Sequence, residues 1–483
     1  MRLSRLRRVS PLWSCPRSAD LTASPRCGAA IRQQTRAWLL ATLGFLASGA
    51  SAQQAGGRDA LADYLSAPDP SYAFHEVSTG RIGSVDYVEA ILTSQTWRGI
   101  PWKHQLFVLR PAHLDPATTQ GILFIDGGHW DQKYESTPAS TRGRAAGLLA
   151  HLAEVARAPV AIVRQVPFQP IFDRKEDALI AYTFQQYFST GEADWPLLLP
   201  MVKSASRAMD AVQQLSREHW GLSLSRFTVT GASKRGWTSW LTAAVDPRVA
   251  SVAPMVINML NFPAQVQLHR QTFGGLSASI HDYEQLQLPE QLDTPAGRKL
   301  LAIVDPYSYR ERLNEPKLIL LGTNDPYWPL DALKAYWQGL PEEKRVLYLP
   351  NQTHDLRDVQ RVIASVTALH RYSANGKALP RVRGTFVQQP GVLELTVGTD
   401  QPAVRVRAWT ATSPGRAFSH AHWSVHGCKR SGSGYLCRVH MSGEHYTALL
   451  GEVTFRDPSA PDFSLSTQVC IAGGPQEGDP GCQ

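Results

Sequence analysis

Between about Val85 and His354 the chain alternates strand-like and helix-like signals, and this alternation restricts the possible folds more than any other feature. The strand-like runs are SVDYVEAILTS, HQLFVLR, GILFIDGG, VAIVRQV, RFTVTGAS, VASVAPMVI, PKLILLGTND and KRVLYLPN. Several are almost unbroken apolar stretches, as expected for parallel strands covered on both faces. Helical segments follow the third, fourth, fifth, seventh and eighth runs: TRGRAAGLLAHLAEVA, LLPMVKSASRAMDAVQQLSREH, KRGWTSWLTAAV, PLDALKAYWQGL and DLRDVQRVIASVTALHRYS. Their apolar residues recur three and four apart. The pattern predicts a doubly wound, mostly parallel α/β sheet with two antiparallel-type strands at its start. Residues 168–196 and 257–312 interrupt the rhythm and are too long for bare loops, so both read as lid insertions at the carboxyl edge of the sheet. After about Leu379, short alternating runs between Pro, Gly, Asp and Ser turns predict a small antiparallel, sandwich-like β-domain over 379–483.

The net charge of +8 over 483 residues is concentrated at one end. Residues 1–52 carry eight arginines against one acid, Asp20, so nearly all of the excess lies there and no phosphate-binding surface is expected on the rest. That leader has a basic segment ending at Arg36, then the apolar run AWLLATLGFLASGASA, which closes on Ala50-Ser51-Ala52. It reads as a secretory signal cleaved after Ala52, leaving an α/β domain over 53–378 and no membrane span in the mature protein. Of six cysteines, Cys428, Cys437, Cys470 and Cys482 remain after cleavage. In an exported protein they suggest two disulfides; pairing of neighbours is one of three possible connectivities.

The fifth run ends in the turn Gly231-Ala232-Ser233 and enters a helix at once. Such a bend pushes a serine hydroxyl out from the sheet edge and needs small neighbours. Arg235 stands where glycine is usual, with Gly236 one place later; an Arg235 turned sideways toward a carboxylate leaves Gly236 to face the strand. The alternative is that Ser233 caps the helix. The seventh run leads into Asp325 and the eighth into His354, so serine, aspartate and histidine follow three sheet-edge positions in that order, the chain order of the α/β-hydrolase triad. In that chemistry Ser233 is the nucleophile, His354 the base that takes its proton, and Asp325 the group that orients the imidazole. Asp331 and Asp355 are rivals for the last role. Oxyanion donors are expected from the backbone N–H of Lys234 and from Gly128 or His129, after the third run. The Lys234 ammonium is read either as a charge near the oxyanion or as solvated.

The stretches VTGASKRGWTSWLTAAVDPRV, LLGTNDPYW, LPNQTH and DALIAYTF…WPLLLPMVKSASRAMD closely resemble the PhoPQ-activated pathogenicity-related family, a branch of the α/β hydrolases. The resemblance runs from about Ala60 into the C-terminal β-region. It implies an α/β-hydrolase fold in a secreted or envelope protein, places Ser233, Asp325 and His354 on the family's triad-like positions, and makes S-K-R-G the family's form of the elbow. It supplies no reaction.

For substrate contacts, Trp130, Trp195, Trp237 and Trp328 lie near sheet-edge loops and line a cleft or pack the lid. Glu176, in the acidic cluster 173–177, either holds a substrate amine or belongs to a solvated first helical turn. His420, His422 and His426 lack acidic partners, and no metal or cofactor is expected. The leading expectation is a serine hydrolase acting through an acyl-enzyme on a small-molecule ester, a glycan-linked ester or a peptide. The alternatives are a peptidase proper, a non-enzymatic signalling or binding protein on the same scaffold, and a carbohydrate-anchoring role for the β-domain.

Overall fold

The computed structural model describes residues 59–114, 118–139, 144–441 and 443–474. The expected signal segment, with Cys15 and Cys27, and Cys482 lie outside them. Helix α1 (Ala60–Ser66) precedes strands β1 (Ala73–Ile82), β2 (Val85–Trp97) and β3 (Ile100–Arg110). Then come β4 (Gln120–Ile125), α2 (Arg144–Ala156), β5 (Val160–Val163), α3 (Glu176–Thr190), α4 (Leu198–Trp220), β6 (Arg226–Ala232), α5 (Lys234–Val245) and β7 (Val249–Met255). Helices α6 (Phe262–Phe273), α7 (His281–Glu284), α8 (Leu288–Gln291) and α9 (Pro295–Val304) separate β7 from β8 (Lys317–Gly322); β9 (Lys344–Leu349) and α10 (Val359–Ala374) follow. The remaining strands are β10 (Val382–Gln389), β11 (Val392–Thr399), β12 (Arg405–Ser413), β13 (Ser424–Gly427), β14 (Lys429–Ser431), β15 (Gly434–His440), β16 (Tyr446–Phe455), β17 (Phe463–Ser466) and β18 (Cys470–Gly473).

The main sheet runs β1-β2-β3-β5-β4-β6-β7-β8-β9-β17-β16-β12-β13, with β18 beside β16. Strands β5, β4, β6, β7, β8 and β9 are parallel. These six strands are the doubly wound α/β core expected from the sequence, set in a sheet that is mixed overall, with eight antiparallel strands beside them among the described residues. Strands β4, β5, β7, β8 and β9 are buried from end to end, which is why their sequences do not alternate. One face is covered by α4 and α5 through Met201, Ala205, Val212, Trp240 and Leu241. The other is covered by α2 and α10 through Leu152, Ala153, Val362, Val366 and Leu369. Each of the larger of these side chains contributes roughly 1.5–3 kcal/mol on burial.

All eight expected strands are present, and so are the helices that follow the third, fourth, fifth and eighth. Three expectations need correction. Three antiparallel strands open the sheet instead of two; β1 is largely exposed and polar, so its sequence carries little strand signal. The segment PLDALKAYWQGL forms only two 3-10 turns, Ala332–Ala335 and Trp337–Gly339. Its carbonyls are taken from outside: Asn261 Nδ2 donates to Ala335 O at 2.8 Å and Gln265 Nε2 to Ala332 O at 3.1 Å. Third, the β-rich region after Leu379 does not stand apart. Sheet β10-β11-β15-β14 packs against it as half of a sandwich, but β17 pairs with β9 and joins β16, β12 and β13 to the main sheet. A Cβ on Gly451 of β16 would come within 2.6 Å of Val397 of β11, which marks how closely the two layers meet. A disulfide joins Cys428 and Cys437. Cys470 is also disulfide-bonded.

Three histidines are buried in this framework, and burial pushes His104, His269 and His370 down to about 4. The folded state keeps them neutral, whereas the unfolded chain protonates them near 6.5, so their stabilisation is complete above that pH and is lost as pH falls toward 4. Asp305, raised to about 6 by burial, works in the opposite direction between its ordinary value and 6. The His370→Gln variant should therefore lose less stability than the wild type between pH 7 and 4.5, by up to roughly 3 kcal/mol, in denaturant titrations at both pH values.

Candidate active site

Strand β6 delivers Ser233 to the carboxyl edge in a backbone conformation of φ 58° and ψ −128°. Positive φ in a residue with a side chain costs of order 1–3 kcal/mol. Here it is held by the Ser233 N–H donating to Met255 O at 2.8 Å and by the Trp237 N–H donating to Ser233 O at 3.0 Å. Strand and helix nearly touch: a Cβ on Gly231 would lie 2.8 Å from Arg235 O, and one on Gly236 would lie 2.7 Å from Ile257 Cγ2. Ser233 makes no side-chain cap bond to α5. Its hydroxyl points instead to His354, with Oγ 2.8 Å from Nε2. His354 Nδ1 lies 2.9 Å from Asp325 Oδ2; a carboxylate can only accept, so Nδ1 carries the proton and Nε2 is free to take one. Asp325 Oδ1 accepts from the Tyr327 N–H at 2.9 Å, and the Tyr327 ring stacks on the imidazole at 3.9 Å between centroids. The rivals are engaged elsewhere. Asp331 pairs with Lys334 and Arg416 at 2.6 and 3.0 Å, and Asp355 with Arg357 at 2.7 Å.

Arg235 does turn sideways. Its guanidinium forks onto Glu176 at 2.8 and 2.9 Å, and its Nε donates to Val166 O. Lys234 is not solvated: it is 2% exposed and lies 2.9 Å from Glu176 and 3.1 Å from Asp177. Burial by itself would raise the Glu176 pKa, but Arg235 and Lys234 outweigh it and hold the carboxyl well below the usual range. Glu176 also accepts from Gln169 Nε2 at 2.6 Å, and the same nitrogen donates to Gly128 O at 2.8 Å. The loop of Gly128 and His129, where an oxyanion donor was expected, is thus tied at Gly128 to the elbow through Gln169, Glu176 and Arg235. A Cβ at Gly127 would fall 2.6 Å from the Arg235 guanidinium.

Ser233 lies in the wall of a partly open, mostly apolar cavity. Trp237 and Trp328 line it, together with residues of the 257–312 insert such as Phe262, Val266, Leu276 and Leu288. Trp130 instead packs against Tyr134 and Phe168, and Trp195 against Trp97 and Phe172. His129 is exposed. Among the described residues no group of three or more His, Cys, Asp or Glu is placed to hold a metal ion, and no helix is long and apolar enough to cross a membrane.

Two asparagines that sequence reasoning did not single out hold the loops of the site. Asn324 Nδ2 donates to Ala421 O at 2.6 Å; Asn351 Nδ2 donates to Trp423 O at 2.9 Å, and Asn351 Oδ1 accepts from the Trp423 N–H at 2.8 Å. They sit beside Asp325 and three residues before His354, so the C-terminal segment clamps both loops.

Residues 61–419 match the family described as PhoPQ-activated pathogenicity-related protein. The chain belongs to this family. It is also 30% identical over 383 residues to autocrine proliferation repressor protein A of Dictyostelium discoideum, covering 73% of this chain and 74% of that protein. Among solved structures it is similar to acetyl xylan esterase 1 from Thermoanaerobacterium sp. JW/SL YS485, with TM-score 0.43 and 16% identity, covering 64% of this chain and 91% of that one. An S-formylglutathione hydrolase from Agrobacterium tumefaciens gives TM-score 0.41 and 14% identity, with 62% and 99% covered. In this family member the S-K-R-G elbow is built around a buried charge cluster, since the arginine and lysine after the serine both pair with Glu176.

Replacing Glu176 with Gln leaves two buried cations with one carboxylate between them. It should destabilise the protein by about 3 kcal/mol or more, read as a lower midpoint in urea. Asn351→Ala should keep the fold, with a loss of about 1–2 kcal/mol in the same titration.

Proposed function

We propose that the protein is an exported serine hydrolase that cleaves esters through an acyl-enzyme on Ser233. The reading is carried by one observation: the hydrogen-bonded chain from Ser233 Oγ through His354 to Asp325 Oδ2, opening into an apolar cavity. In the proposed reaction Oγ attacks the ester carbonyl as His354 Nε2 takes its proton. The tetrahedral oxyanion is met by the Lys234 N–H and by a donor from the Gly128–His129 loop. The intermediate collapses as the imidazolium returns the proton to the departing alkoxide, and Asp325 stabilises the transient cation. Water then repeats the sequence on the acyl-serine and releases the acid.

An ester is favoured over a peptide. Glu176, the candidate for holding a substrate amine, is saturated by Arg235, Lys234 and Gln169, and Asp177 is engaged by Lys234 and by the Tyr283 hydroxyl. The apolar lid side chains around the cavity suit an acyl chain. Export is supported by the leader sequence and by the disulfides.

A signalling role on the same scaffold is the second reading, favoured by the name of the Dictyostelium discoideum relative. Labelling with a fluorophosphonate probe separates the two. The wild type should be labelled on Ser233. Ser233→Ala should lose the label and at least about 10³-fold in ester turnover, with its melting temperature kept. Equal labelling of both proteins would sink the assignment of the nucleophile.

A further inference from the structure

The cavity beside Ser233 contains an unmatched polar pair. Most polar groups in its wall are already satisfied within the protein: the Trp237 and Trp328 indoles donate to Val304 O and Val256 O, and the Tyr283 hydroxyl donates to Asp177. Two side chains of α6 differ. Gln265 and His269 stand four residues apart, so they share one helix face a turn apart. Both line the cavity, and they are 4% and 1% exposed.

Their orientations are settled by their neighbours. The Gln265 amide lies 3.1 Å from two carbonyls, Leu260 O and Ala332 O, so the group facing them is the NH₂. Its Oε1 has no hydrogen-bond partner among the described residues. His269 Nδ1 accepts from the Ser277 N–H at 3.2 Å, which puts the ring proton on Nε2. Burial keeps this ring neutral at ordinary pH, and its Nε2–H also has no partner among the described residues. Buried polar groups are almost always hydrogen-bonded, so an acceptor and a donor left unmatched one helical turn apart, on residues that line an apolar cavity, call for a ligand.

We propose that Gln265 and His269 form a specificity subsite for a hydroxyl group on the otherwise apolar portion of the substrate. The His269 Nε2–H donates to the hydroxyl oxygen, and the hydroxyl proton is donated to Gln265 Oε1. One atom then satisfies both groups. An ether or ketone oxygen serves only the histidine, a carboxylate is repelled by Oε1, and an ammonium has nothing to offer Nε2–H. The proposal rests on the reading of Ser233 as nucleophile only in making the bound molecule an ester.

The test uses the Ser233→Ala protein, in which esters stay intact, and calorimetric binding of methyl hexanoate, its monohydroxylated isomers with the hydroxyl at successive carbons, and a matched ether. At least one hydroxylated isomer should bind about tenfold or more tightly than methyl hexanoate, and the ether should not. His269→Phe, which loses only the Ser277 contact within the protein, should remove that advantage while binding methyl hexanoate at least as well. Gln265→Leu, checked for folding by its melting temperature, should also remove the advantage of the hydroxylated isomer. Equal affinity across the series, binding of no member, or an advantage that survives His269→Phe overturns the subsite. The hydrolase reading is decided separately: a hydroxyl preference in a wild type that turns over no ester supports the subsite while removing the enzyme, and turnover without a hydroxyl preference removes the subsite alone.

Discussion

The turn between β6 and α5 leaves no space for ordinary residues, and the rest of the site is arranged around that constraint. A β-carbon at Gly231 or Gly236 would collide with the opposite side of the turn, and Ser233 sits at positive φ between them. Such a conformation persists only where its surroundings over-determine it. Here they do: a parallel neighbour, β7, accepts the serine N–H, and α5 continues directly from it. The hydroxyl is consequently turned away from its own helix and toward His354. The same tightness expels the Arg235 side chain sideways into the space beside Gly127.

That displacement explains the charge cluster beneath the site. Two cations following the serine are buried, and burial of unpaired charge is prohibitive. Glu176 and Asp177, brought by the insert after β5, neutralise them. The acidic insert is therefore an internal counterpart to the basic elbow, and the two features of the sequence account for each other. Through Gln169 the cluster also reaches the backbone of Gly128. The Ser233 turn and the loop expected to supply oxyanion donors form one hydrogen-bonded unit, and rigid support of this kind is what charge-stabilising sites require.

The C-terminal strands have a comparable structural role. They extend the main sheet through β17, and the loop between β12 and β13 holds Asn324 and Asn351. The Asp325 and His354 loops belong to parallel strands β8 and β9, whose register leaves both at the same edge as Ser233. The register brings the loops near each other; the asparagine contacts set their separation. A region that reads as a separate β-domain by composition thus holds the two loops that carry Asp325 and His354.

Much of this was legible in the sequence. Unbroken apolar runs marked the buried parallel strands, helical periodicity marked most of the covering helices, and the order Ser233, Asp325, His354 at three strand ends identified which side chains would meet. These features are local or follow from topology, and a linear pattern records them. The segment PLDALKAYWQGL has helical periodicity yet forms 3-10 turns, because Asn261 and Gln265 from a distant helix claim its carbonyls. The sequence points Arg235 toward a carboxylate without saying which, and leaves Lys234 either near the oxyanion or solvated; only the folded insert pairs both with Glu176. Gln265 and His269 look like ordinary polar positions on a helix of the insert, and only the folded cavity leaves one acceptor and one donor unmatched there. Tertiary structure decided these points because each depends on desolvation and on partners far away in the chain, neither of which periodicity or spacing encodes.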